Sequence, residues 1–208
     1  VAAQASLAEL YENSGSAYLD YEKSVFWYRK LADQGVSRAQ YKLADYYENG
    51  IGVEKNTAQA INLYRKAAEN GHVASQQSLA LIYASGEEVE QDYKLASYWF
   101  RKAANQGLIE AQSWLGYLYR EGYGVKQDFK QAAIWFQKAA DQGQVYAQTQ
   151  LAGLYRNGKV ADRDYVKTVG LYLKLAEQGD KDSQYFLAKM YEEGKGVNQS
   201  YVQAVNWY

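Results

Sequence analysis

The residues that could do chemistry are few. His72 is the only imidazole in the chain, and there is no Cys. That excludes a thiol nucleophile, a thiolate zinc site and any helical zinc site needing two histidines. His72 follows Gly71 at the junction between two helical patterns and reads as a surface turn residue. Glu87-Glu88 and Glu192-Glu193 have the residue type for general acid–base work. Both pairs fall at helix ends and in loops, where solvated carboxylates are ordinary. Gly50-Ile51-Gly52, Gly122-Tyr123-Gly124 and Gly194-Lys195-Gly196 have glycine spacing that could suggest a phosphate cradle. They lack the preceding strand and the long Gly-rich run of such loops, so they read as helix terminators. No nucleophile–base pair emerges. The expectation is a non-enzyme with no catalytic residue, metal or cofactor.

Composition narrows the class further. The 208 residues carry 23 Lys+Arg and 24 Asp+Glu, a net charge of −1, with 22 Tyr and no Pro. Average usage would supply roughly ten prolines, so turns here must rely on Gly, Asn and Asp. The balanced charge and the lack of a basic patch with interleaved aromatics argue against nucleic acid. No apolar run reaches the ~18 residues of a membrane span, so direct membrane insertion is not expected. Val1–Leu10 shows no signal peptide, which leaves bacterial periplasm, secretion and cytoplasm open. Asn198-Gln199-Ser200 fits the glycosylation acceptor pattern, a triplet that chance often supplies.

The elements that must position any site come from a repeat. Leu7, Leu43, Leu79, Leu115, Leu151 and Leu187 recur every 36 residues. Tyr11, Tyr47, Tyr83, Tyr119, Tyr155 and Tyr191 keep the same period, as do Gln4, Gln40, Gln76, Gln112, Gln148 and Gln184. An aromatic column runs through Tyr28, Tyr64, Phe100, Phe136, Tyr172 and Tyr208. Within a unit, Ala39, Leu43, Tyr46 and Tyr47 define one helical face, and Ala60, Leu63, Tyr64, Ala67 and Ala68 define a second. Gly50 suits a left-handed C-terminal cap. Asn56, Asp92, Asp128, Asp164 and Ser200 are N-cap types before the second helix. The small residues Ala8, Ala44, Ala80, Gly116, Ala152 and Ala188 let that helix approach closely. The Gln column suits hydrogen bonds to a neighbouring unit's backbone. One such hairpin cannot bury its own face, so stacking is required.

These columns resemble the Sel-1-like repeat, a relative of the tetratricopeptide repeat with about two extra residues per unit. The fourth unit carries the resemblance most fully: Ala111-Gln112, Leu115-Gly116, Leu118-Tyr119, Glu121-Gly122-Tyr123-Gly124-Val125, Asp128-Phe129, Ala132, Trp135-Phe136, Lys138-Ala139-Ala140 and Gly143. Departures occur at Ser14-Gly15-Ser16-Ala17, at Glu88 in place of a loop Gly, and at Gly158-Lys159-Val160-Ala161 with Thr168. The expected fold is an all-α, right-handed α/α superhelical solenoid of 36-residue helix–turn–helix repeats with about twelve helices. The expected domain organisation is one solenoid of six units, 1–36, 37–72, 73–108, 109–144, 145–180 and a truncated 181–208. Tyr208 falls inside the second helix of the sixth unit, so a fragment of a longer array is expected, with a short last helix and partly exposed Trp207 and Tyr208.

The resemblance implies a protein–protein interaction scaffold or adaptor, with the first helices on an inner, concave wall. An immunity-type inhibitor of a secreted bacterial toxin is the alternative. A hydrolase, as proposed for cysteine-rich relatives, has no supporting residues here. The wall positions outside the core columns differ from unit to unit, as a tailored surface would. The expected partner-binding residues are Arg38, Tyr41, Asp45, Glu48, Glu110, Tyr117, Arg120, Tyr146, Arg156, Tyr185, Lys189 and Glu192. Companion positions include Ala84, Ser113, Gly153 and Asn157. With Glu9 and Glu12 the wall counts nine acids and four bases, a net of −5. The expected partner is a protein or peptide carrying Lys or Arg, anchored on Tyr41, Tyr117, Tyr146 and Tyr185.

Overall fold

In a computed structural model, residues 1–13, 15, 17–160 and 164–208 are described. The loop departures at Ser14, Ser16 and Ala161 lie outside these residues. Twelve α-helices and no strand occur among the described residues. They fall into two compact units, Val1–Gln106 and Gly107–Tyr208.

The first unit holds α1 (Ala2–Glu12), α2 (Tyr21–Asp33), α3 (Ser37–Asn49), α4 (Thr57–Glu69), α5 (Val73–Ser85) and α6 (Tyr93–Asn105). The second holds α7 (Ile109–Glu121), α8 (Phe129–Asp141), α9 (Val145–Arg156), α10 (Tyr165–Glu177), α11 (Lys181–Glu193) and α12 (Tyr201–Trp207). Inside each unit, every helix packs on the next one along the chain.

Helix ends follow the local chemistry. Asp20, Asn56, Asp92, Asp128, Asp164 and Ser200 each accept a backbone N–H of the first turn through the side chain. Asp20 does so in the first repeat, where the sequence reading had named no cap. Gly50 stops α3 at φ 69°, a left-handed conformation that costs a residue without Cβ little. Across each loop, the carbonyl of the recurrent Tyr accepts the N-cap amide: Asn56 to Tyr47 at 2.8 Å and Asp128 to Tyr119 at 2.9 Å. In the fifth repeat α9 stops one residue early, at Arg156, and Gly158 takes the positive φ.

The core is the Leu column closed by the second-helix aromatics. Leu79, Leu115, Leu151 and Leu187 are fully buried, as are Phe100 and Phe136. Each such side chain contributes about 1.5–3 kcal/mol by leaving water. The alanines beside the Leu column are equally buried. At Gly116 an added Cβ would lie 2.8 Å from the Phe136 ring, which explains the glycine there.

Buried glutamines tie consecutive repeats together. Gln40, Gln76, Gln148 and Gln184 donate from Nε2 to the carbonyls of Ala32, Ala68, Ala140 and Ala176 at 3.0–3.3 Å. Gln106 and Gln142 then donate to Oε1 of Gln76 and Gln112, each at 2.8 Å. At Gln76 this satisfies both ends of the buried amide, whereas Gln40 and Gln148 keep a buried Oε1 without a partner.

Candidate partner-binding face

In the first unit the predicted residues lie on α3. Arg38 is exposed and pairs with Glu9 of α1 at 3.0 Å. The half-buried Tyr41 ring lies 5.7 Å from Tyr64 and 5.0 Å from His72. Asp45 accepts from Asn49 at 3.0 Å. Glu48 accepts the Tyr64 hydroxyl at 2.6 Å. Glu12 collects Lys42 at 3.2 Å and the Tyr46 hydroxyl at 2.8 Å. Burial and the Glu48 carboxylate both hold the Tyr64 phenol well above its usual range. Tyr64 is therefore a neutral donor to Glu48.

His72 is more than a surface turn residue. It is half-buried, its Nδ1 accepts the Ser75 amide at 3.3 Å, and it caps α5. Burial, then the nearby Arg38 charge, holds its pKa below the ordinary value.

In the second unit the residues lie on α7, α9 and α11. Glu110 is exposed in the first turn of α7. The Arg120 guanidinium sits 5.2 Å from the Tyr117 ring, pairs with Glu121 at 2.6 Å and donates to Gln150. Tyr146 is exposed and meets the Phe136 ring edge-on at 6.1 Å. Arg156 lies 4.1 Å from the Phe186 ring centroid. Tyr185 is 50% exposed and touches Phe186 and Tyr208. Lys189 pairs with Glu192 at 2.9 Å, and Glu192 also accepts from Tyr208 at 2.9 Å.

Two companion positions turn inward instead. Ala84 and Ser113 are buried, and Ser113 donates to Gln144. Conversely, a position between the predicted ones carries Lys42, Trp114, Gln150 and Phe186 into the same clusters. Its identity differs between every two successive repeats, the signal that could have found it. Several counted acids are locally neutralised: Glu9 by Arg38, Glu12 by Lys42, Glu121 by Arg120, Glu192 by Lys189 and Glu193 by Lys195.

Among the described residues, no group of three or more His, Cys, Asp or Glu could hold a metal ion. No described helix is long and apolar enough to cross a membrane.

The Sel1 repeat family matches residues 1–36, 37–72, 73–108, 109–144, 145–180 and 181–208. Among solved structures, a protective antigen of uropathogenic Escherichia coli displaying an SLR fold is 37% identical, with a TM-score of 0.85 over 99% of this chain. This chain spans 44% of that protein's length. A Sel1 repeat protein from Oxalobacter formigenes is 34% identical, with a TM-score of 0.79, covering 90% of this chain and 77% of its own. The Helicobacter pylori cysteine rich protein B shares the fold at 24% identity and a TM-score of 0.50, over 67% of this chain and all of its own. No curated protein sequence matches.

Proposed function

Because this chain belongs to the Sel1 repeat family, we propose that it is an interaction scaffold that takes a peptide or protein segment on its first-helix face. Sel1 repeat proteins generally mediate protein–protein interaction. One observation carries the reading. The Leu and Gln columns keep one identity through all repeats, while most of the accessible positions around them vary among repeats. Packing demands the first and leaves the second to a partner.

The contacts we assign are Arg38, Tyr41, Asp45 and Glu48 in the first unit, and Glu110, Tyr117, Arg120, Tyr146, Arg156, Tyr185, Lys189 and Glu192 in the second. Tyr and Arg are, with Trp, the residue types enriched at interface hot spots. In the first unit Glu9, Glu12, Asp45 and Glu48 stand against Arg38 and Lys42. That negative excess suits a segment carrying Lys or Arg.

The test is capture of the partner from the native cell, followed by affinity measurement on the purified pair. Tyr117→Ala with Tyr185→Ala should weaken binding roughly tenfold or more. Unchanged affinity would sink the assignment. Asp45→Lys should weaken a basic segment's binding, and added salt should do the same to the wild type.

A further inference from the structure

We propose that a cleft in the second unit, centred on Arg156, binds a single carboxylate carried on an apolar stem. The proposal rests on the reading of the first-helix face as a binding surface and names the partner chemistry at one place on it.

The cleft has a volume of about 320 Å³ and is bounded by Gly153, Arg156 and Asn157 of repeat five, with Tyr172, Ser183 and Phe186 opposite. A neighbouring cleft of about 340 Å³ shares Arg156, Asn157, Tyr172 and Phe186 and continues to Tyr185 and Lys189. Such volumes suit one side chain or chain terminus.

The repeat itself shows what is unusual here. Positions equivalent to Arg156 carry Glu12, Glu48, Ala84, Arg120 and Glu192. The four charged ones all have polar partners: Lys42, Tyr64, Glu121 and Lys189. Arg156 lies on the Phe186 face with no hydrogen-bonding partner among the described residues, and its Nη1 is buried without an acceptor. Ser183, 1% exposed, lines the same cleft with its Oγ also unpartnered. Buried donors without acceptors are costly, and a ligand oxygen would relieve them.

Gly153 supplies the space. Its equivalents are Glu9, Asp45, Leu81, Tyr117 and Lys189, and a Cβ built on it meets nothing within 4 Å. The planar Arg156 guanidinium matches a carboxylate, and Ser183 brings a further hydroxyl donor to the same cleft. Arg120, paired with Glu121, and Asp182 also border the cleft, which leaves Arg156 as its unpaired cation and suits a monoanion better than a dianion such as phosphate. The Tyr172 and Phe186 rings suit an apolar stem.

The carboxylate can come from a chain terminus or from an acidic side chain, and the probes separate the two. The full chain, labelled with ¹⁵N, is titrated with N-acetylphenylalanine, with N-acetylglutamic acid α-amide and with the neutral N-acetylphenylalanine amide. The expected result is a saturable shift of the Arg156 Nε–H and of the Asn157 and Ser183 amides with at least one carboxylate. The neutral amide should leave them unmoved. A preference for the first probe assigns a terminus, and for the second an internal acid. Arg156→Gln and Gly153→Leu should each weaken binding at least tenfold. Gly153→Leu installs the residue that repeat three carries, so the fold is retained. Equal shifts with the neutral amide, unchanged binding by Gly153→Leu, or tighter binding of inorganic phosphate would overturn the proposal. Those failures leave the Tyr117 and Tyr185 result on a captured partner untouched, so the two readings fail separately.

Discussion

Thr57 donates its hydroxyl to the Glu88 carboxylate at 2.9 Å, and Lys55 joins the same carboxylate at 3.0 Å. Both Thr57 and Glu88 depart from their columns. Elsewhere the loop position is usually Gly, as at Gly52 and Gly196, and the helix-start position is aromatic, as at Tyr21 and Tyr165. A Cβ on Gly52 would lie 2.5 Å from the Tyr21 backbone, and one on Gly196 2.4 Å from that of Tyr165. The position pair thus differs among repeats: Gly with Tyr at Gly52 and Gly196, Val160 with Phe129 in the fifth repeat, and Glu with Thr here.

The two exceptions should therefore be coupled. Thr57→Tyr alone sets a ring against Glu88 and should lower the melting temperature. Glu88→Gly alone removes a hydrogen bond and an ion pair and should lower it as well. The double variant installs the Gly-with-Tyr pair seen at Gly52 and Tyr21 and should recover most of the loss. A thermal-melt double-mutant cycle reads the coupling, and simple additivity would refute it.

The glutamine ladder has gaps at two places: Gln148 Oε1 is buried without a partner although Gln178 stands at the donor position, and in the second repeat the donor itself is shorter. Gln40 Oε1 is buried without a partner. Asn70 stands where Gln106 and Gln142 donate to the equivalent oxygens. Asn70 ends α4 with nearly the backbone of Gln106, φ −80° against −89°. Asn70→Gln should reach Gln40 and add about 0.5–1.5 kcal/mol in urea unfolding. No gain would mean that one methylene is not what separates the groups.

One substitution at two helical glycines should have opposite signs. Gly116→Ala pushes a methyl into the buried Phe136 ring and should cost about 1–3 kcal/mol. Gly153→Ala meets open space and should gain up to about 1 kcal/mol from helix propensity. Equal effects in chemical denaturation would contradict the packing described for α7.

His72 ties stability to pH. Its folded pKa lies below the ordinary 6.5, through burial first and the Arg38 charge second. The neutral ring also caps α5 through Nδ1, and Tyr41 packs on it. Below the unfolded pKa, the unfolded chain binds the proton that the folded chain refuses. The His72 contribution is thus complete above about pH 6.5 and is lost as pH falls through the folded pKa. His72→Asn keeps a cap acceptor and should remove that part of the pH dependence. Parallel melts of wild type and variant over this range would show it, and identical slopes would exclude it.

Local structure was legible from residues alone. Asn56, Asp92 and Gly50 act through their own chain neighbours, so caps and helix ends follow from residue type. The 36-residue columns name the core for the same reason, since helical periodicity selects one face to bury. The accessible face was legible only as a set of positions. Ala84 and Ser113 belong to that set by spacing yet are buried, and Phe186 and Trp114 lay outside it yet join the aromatic clusters.

What the tertiary structure alone decided are pairings across about a repeat. Thr57 with Glu88, Gln76 with Gln106 and Arg156 with Phe186 are separated by 31, 30 and 30 residues. Whether such groups touch depends on how closely and at what angle two helices cross. That distance is set by small residues such as Ala80 and Gly116 on a third surface. Residue types therefore determined which helices form and which faces they bury. The close approach of those helices decided which charges are neutralised and left the Arg156 guanidinium without a polar partner.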